Sequence, residues 1–246
     1  MSQLALNQVT NIKAADSNWR SLYKAGGAAA LIAVAAFALD IIISWGGKDF
    51  NPAALTAVDW FALYQGNWLW GLRALGLINV ISLTVSIVLY AALYAAHWRV
   101  CPTSAALAVI LYLVGMAIYI SNNAAVPMFV LSEKHAVATT AVQKTILAAA
   151  GEAILAKGAD FTPGSFIGFF FTEIAALAFA SIMLRSKVFS RATAYVGISG
   201  FISLGIFTIW STFIPVFFDA AMILATAGGL LSVAWYILTA RRFFQL

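Results

Sequence analysis

Three ionisable side chains interrupt the apolar runs of this chain: Asp40, Arg73 and Glu173. A charge in hydrocarbon is costly, so such residues pair with one another, face an internal cavity or serve a ligand. Asp40 lies five residues before Trp45, and Arg73 lies five residues after Trp68. At about 1.5 Å of rise per helical residue, both sit roughly 7 Å from aromatic anchors on one side. Equal depth predicts an ion pair that pins two helices. The alternatives are an outward-facing contact for an anion or substrate, and an Arg73 that reaches the surface along its own stem. Glu173 is deeper, nine residues past Gly164. A carboxyl at that depth is poorly hydrated. It suits proton acceptance in a transporter, a hydrogen bond to a ligand, or a packing bond with Asn79, Asn122 or Thr172.

A second polar feature runs from Tyr112 to Pro127. Tyr112, Gly115, Tyr119 and Asn122 fall on one helical face, Asn123 lies beside it, and Pro127 closes the pattern. A bare amide in hydrocarbon costs free energy, so Asn122 and Asn123 are expected to face protein or an aqueous cavity. Asn79, Ser82, Ser86 and Tyr90 share another face and extend a polar seam inward, although small hydroxyls in such helices also act as packing contacts.

Familiar catalytic constellations are missing. His97 and His135 fall on opposite sides of the apolar region, and no histidine follows residue 135. No His-Glu-x-x-His or glycine-rich phosphate loop occurs, and the last apolar run holds no lysine for a Schiff base. The single cysteine, Cys101, excludes an internal disulfide and a Cys-x-x-Cys pair. No metal or other cofactor is implied. An enzyme would have to use Glu173 or Asp40 as its acid or base.

Positioning these residues falls to membrane-spanning helices. The 246 residues are 63% hydrophobic and only 9% charged, too few charges for the surface of a water-soluble domain of this size. Six apolar runs are long enough to cross a bilayer, which takes about 20 helical residues. They fall at about 26–45, 68–94, 104–131, 164–184, 195–217 and 220–240. The expectation is one all-α membrane domain, a six-helix bundle over residues 1–246. Residues 1–21 form a polar tail with a short helix ending near Trp19, Arg20 and Lys24. Asn51-Pro52 starts a short interfacial helix reaching Tyr64, flanked by Trp45, Trp60, Trp68 and Trp70 as an aromatic belt. Residues 132–157 carry both charges and an apolar face, and are read as an outer helix lying over the domain.

Charge sets the orientation. One side holds Lys13, Arg20, Lys24, Arg99, Arg185, Lys187, Arg191, Arg241 and Arg242; the other holds Lys48, Lys134, Lys144 and Lys157. Nine against four predicts cytoplasmic termini. The net charge of +5 is explained by this bias, so nucleic acid is not an expected partner. Small residues at Gly26, Ala29, Ala33 and Ala36, and at Ala221, Ala225 and Gly229, predict close helix packing.

Ser121-Asn122-Asn123 with Pro127-Met128, Leu131-Ser132, Ala149-Ala150-Gly151-Glu152-Ala153, Met183-Leu184-Arg185-Ser186, Thr193-Ala194-Tyr195-Val196-Gly197 and the segment from Tyr236 through Arg241-Arg242 to Leu246 occur in that order. Together they resemble a family of bacterial membrane proteins catalogued only as a domain of unknown function, over the second half of the chain. The resemblance implies a bacterial inner-membrane protein and supplies no activity. The leading expectation is an outward-opening pocket lined by Asp40, Arg73, Asn122, Asn123 and Glu173 that binds or transports a small molecule or lipid. The alternatives are an accessory subunit of a larger membrane complex, partnered by another membrane protein, and an intramembrane enzyme.

Overall fold

The structure, a computed structural model, describes residues 3–44, 55–160, 162–214 and 218–246. All regular structure among them is α-helical. Six segments are long and apolar enough to span a membrane: Trp19–Asp40, Leu77–His97, Pro102–Val137, Ala141–Arg185, Arg191–Phe213 and Ala220–Phe243.

The spans close into a ring. Helices α1 (Gln3–Ser44), α4 (Leu77–His97), α5 (Pro102–Asn122), α8 (Pro163–Arg185), α9 (Arg191–Phe213) and α10 (Phe218–Phe243) each pack against the next, and α10 returns to α1. Small residues set the closest approaches. A Cβ on Gly115 of α5 would lie 2.9 Å from the Gly168 carbonyl of α8, so only glycine admits this spacing. Gly26 of α1 meets Ala92 of α4 in the same way. Of the predicted small-residue stripes, Gly26, Ala29, Ala33, Ala221 and Gly229 are buried. The outer surface of the ring is apolar: Leu107, Ile110, Ile223 and Leu230 are each more than half exposed, as suits contact with lipid.

Four further helices form a layer at one end: α2 (Ala57–Gly66), α3 (Trp68–Ala74), α6 (Ala125–Val137) and α7 (Ala141–Gly158). Their own core holds Trp60, Phe61, Tyr64, Leu75, Met128 and Leu155. Polar contacts knit the layer. Tyr64 Oη donates to the Ala125 carbonyl at 2.8 Å, and Ser132 Oγ donates to that of Phe61 at 3.1 Å. The Ala57 amide, at the start of α2, donates to Glu152 Oε1 of α7 at 2.6 Å, which places a carboxylate at a helix N-terminus.

Several expected boundaries differ. The run at 68–94 is two helices, because Gly76 adopts φ +83°, a left-handed conformation that halts the chain between α3 and α4. The run at 104–131 breaks at Asn123, whose Oδ1 accepts from the Ala125 amide at 3.1 Å and opens α6. Pro127 therefore sits in the first turn of α6, where a missing N–H is harmless. The outer helix starts at Ala141, not residue 132, because Thr140 and Gln143 form a capping box there. A capping box of Thr56 and Asp59 likewise starts α2. Trp60 is 1% exposed in the outer layer's core, so it is no part of an interfacial belt. The expected helix near Trp19 is continuous with the first span. Trp45, Lys48, Asn51 and Pro52 lie outside the described residues.

Both ends of the ring's chain lie at the face opposite the four-helix layer. Tyr23 of α1 stacks on Phe243 of α10 at 5.7 Å, and Arg242 Nε donates to the Val188 carbonyl at 2.6 Å. Arg20, Lys24, Arg99, Arg185, Arg191 and Arg241 therefore share one face, as the charge bias predicts.

Candidate functional site

The ring encloses a cavity of about 300 Å³ to which all six helices contribute. Asn79, Ser82, Ser86 and Tyr90, one turn apart along α4, all line it. This is the predicted seam, and its 3.6-residue period is why one helix can supply a continuous polar wall.

At the end nearest the four-helix layer, Arg73 Nε of α3 donates to Asp40 Oδ1 of α1 at 2.8 Å, and its Nη2 donates to the Asp40 carbonyl at 3.1 Å. The predicted ion pair is present. Arg73 is 15% exposed and Asp40 34%, so the pair sits at a rim rather than in the interior. The guanidinium also lies over the Trp70 ring, 5.8 Å from its centroid. Asp40 lines the cavity, while Arg73 reaches it from outside the wall.

Beside this pair stands Asp160, in the turn between α7 and α8. Its Oδ1 accepts from Tyr119 Oη at 2.9 Å and its Oδ2 from Asn79 Nδ2 at 3.1 Å, joining the outer layer to α5 and α4. Asp40 is near enough to repel it electrostatically. Gly76 belongs to the same knot: a Cβ there would collide with the Tyr119 hydroxyl and lie 3.1 Å from Asp160 Oδ2. Asp160 was not among the expected site residues.

Glu173 of α8 projects into the cavity from deeper in the ring. Thr208 Oγ1 of α9 donates to its Oε1 at 2.7 Å. Its Oε2 is buried and accepts from no donor among the described residues. The expected packing bonds to Asn79, Asn122 or Thr172 are not those observed. Asn79 serves Asp160, and Thr172 Oγ1 donates to the carbonyl of Phe169 in its own helix.

Asn122 and Asn123 do not line the cavity. Asn122 Nδ2 donates to the Gly164 carbonyl at 3.1 Å, and Asn123 Nδ2 donates to that of Leu75 at 2.9 Å. The Asn123 amide satisfies a carbonyl at the C-terminal end of α3, and that of Asn122 ties α5 to the first turn of α8, which explains polar residues at this depth without a ligand. Beyond Glu173, Tyr90 and Tyr112 stack at 3.7 Å, and the Tyr112 hydroxyl donates to the Leu83 carbonyl. Phe169, Phe201 and Phe207 complete an aromatic lining.

Among the described residues, no group of three metal-ligating side chains converges. His97 is buried at the basic face, with Nδ1 2.7 Å from the Leu93 carbonyl and its ring stacked on Phe189. His135 packs on Phe61 in the outer layer. The two are as far from cooperating as their positions in the chain imply.

The fold and this site define a class: a multi-pass helical membrane protein with an aromatic, acid-bearing cavity at the centre of its ring. No protein-family model matches the chain, and neither the curated proteins nor the solved structures provide a match to it.

Proposed function

We propose that the six-helix ring binds a small molecule or lipid fragment in its central cavity and supports its movement into or across the bilayer. One observation carries this reading: polar groups from six helices converge on a partly open cavity of about 300 Å³, within the size range of small-molecule sites. A bundle that served only as a packing subunit would fill that space with side chains, since interiors close-pack. The candidate residues are Asp40 and Glu173 in the wall, Asp160 at the rim and Arg73 as the partner of Asp40. Asn122 and Asn123 shape the helix breaks beside them. The basic face is assigned to the cytoplasm of a bacterial cell, with the four-helix layer outside the inner membrane. That orientation makes the Asp40 rim the outward mouth.

The test is mass spectrometry of small molecules retained by protein purified in lipid nanodiscs. Ser82→Trp places an indole in the cavity from α4. Wild-type protein is expected to retain a molecule that Ser82→Trp lacks at an unchanged melting temperature. An identical complement in both proteins overturns the reading and favours a packing subunit.

A further inference from the structure

We infer that the cavity's ligand is a small organic ammonium ion, seated with its charged head at Glu173 and its apolar body against the aromatic lining. This rests on the cavity being a binding site. Three acids face the cavity or its rim, and among the described residues no lysine, arginine or histidine is in its wall. Asp40 has Arg73, and Asp160 has Tyr119 and Asn79. Glu173 differs: Thr208 serves Oε1, while Oε2 is buried without a donor from the described residues. A buried acceptor lacking its hydrogen bond is unfavourable, and an ionised one without a counter-charge much more so. Gly205 of α9 leaves space beside that oxygen; even a Cβ there would stand 3.8 Å away. An ammonium N–H satisfies the oxygen and supplies a positive charge that the described residues of the wall do not. The rest of the cavity suits the rest of such a molecule. The stacked Tyr90–Tyr112 pair and the rings of Phe201 and Phe207 offer π-faces and apolar surface, which attract ammonium groups and their substituents. An anion would meet three carboxyl groups, and Arg73 is already engaged with Asp40.

The experiment uses three probes of matched chain length on the full chain in nanodiscs: 3-phenylpropan-1-ammonium, 3-phenylpropan-1-ol and 3-phenylpropanoate. Affinities are read by titration calorimetry for wild type, Glu173→Gln and Ser82→Trp. In wild type the ammonium should bind at least tenfold more tightly than the alcohol, and the carboxylate should not bind measurably. Glu173→Gln should reduce the ammonium's advantage to within about twofold while leaving alcohol affinity and melting temperature unchanged, because Gln keeps an acceptor for Thr208. Equal binding of ammonium and alcohol to wild type, or an advantage that survives Glu173→Gln, overturns the ammonium inference. So does tightest binding of the carboxylate, or no binding of any probe at millimolar concentration. Ser82→Trp separates the two levels. Where the ammonium inference has failed but another probe binds, loss of that binding in Ser82→Trp leaves the cavity reading standing with its ligand class wrong. If binding persists, the site is elsewhere and both fall.

Discussion

The contact between Asp40 and Arg73 predicts a measurable thermodynamic coupling. Its two hydrogen bonds make the single variants unequal. Asp40→Asn removes the charge, but an amide oxygen can still accept from Arg73 Nε, and the Nη2 bond to the residue-40 carbonyl is untouched. Arg73→Gln loses both bonds and the packing over Trp70. Breaking a fully buried pair costs about 3–5 kcal/mol, whereas exposed pairs contribute about 0.2–1 kcal/mol. With exposures of 15% and 34%, this pair falls between those limits. We expect about 1 kcal/mol for Asp40→Asn and about 2 kcal/mol for Arg73→Gln. The double variant should lose about 2 kcal/mol rather than 3, a coupling near 1 kcal/mol. Reversible unfolding in mixed micelles, followed by tryptophan fluorescence, measures all four corners of the cycle. Repeating it at high salt should shrink the coupling, because a rim pair is partly screened. Additivity within about 0.3–0.5 kcal/mol would refute the contact. The outer end of α1 would then have no electrostatic tie to α3.

Other predictions test the helix breaks, the ring and the topology. Gly76→Ala should cost at least about 1–2 kcal/mol from left-handed backbone strain alone, read as a lowered melting temperature; no loss would mean that the break between α3 and α4 is wrong. Gly115→Leu should destabilise by at least about 1–3 kcal/mol, because even its Cβ meets the Gly168 carbonyl at 2.9 Å; tolerance would show that α5 and α8 do not approach so closely. Thr140→Ala should cost about 1 kcal/mol by deleting the cap of α7, measured as local amide-exchange protection over residues 141–145. Lys144→Cys on a Cys101→Ser background should react with a membrane-impermeant thiol reagent in intact cells; labelling only after permeabilisation would reverse the orientation.

Six spans and their shared basic face were legible because hydrophobic length and charge bias act along contiguous residues. The helix breaks were less so. An apolar run crossing Gly76 or Asn123 has the same composition whether it is one helix or two. The deciding signals lie outside the local pattern: a tyrosine hydroxyl against Gly76 and the Leu75 carbonyl awaiting the amide of Asn123. Asn122 and Asn123 were conspicuous for the correct reason, since an amide at that depth needs a partner. Their partners proved to be backbone carbonyls, that of Leu75 at the end of α3 and that of Gly164 in the first turn of α8. Trp60 misled for a related reason. An aromatic near an interface looks the same in sequence whether it anchors to lipid headgroups or fills the core of a covering layer.

The site shows where counting within spans stops working. Asp40 and Arg73 were paired by matching depth, an argument needing only helical rise and two tryptophans. The α4 seam was equally readable, because one helix fixes the relative directions of Asn79, Ser82, Ser86 and Tyr90. Asp160 escaped because its partners are 41 and 81 residues away in sequence, and it lies just beyond the apolar run. The donors nevertheless posed the question. Asn79 and Tyr119 each bring a hydrogen to a helix face that water reaches poorly, and a buried donor without an acceptor costs about 1–3 kcal/mol. Among the spans' own carboxyl groups, Asp40 was assigned to Arg73 and Glu173 lay deeper. The turn entering α8 carries the acceptor that both donors use. Asp160 thus holds the covering layer to α4 and α5 at the rim, leaving Glu173 as the cavity acid that still has an oxygen to offer a ligand.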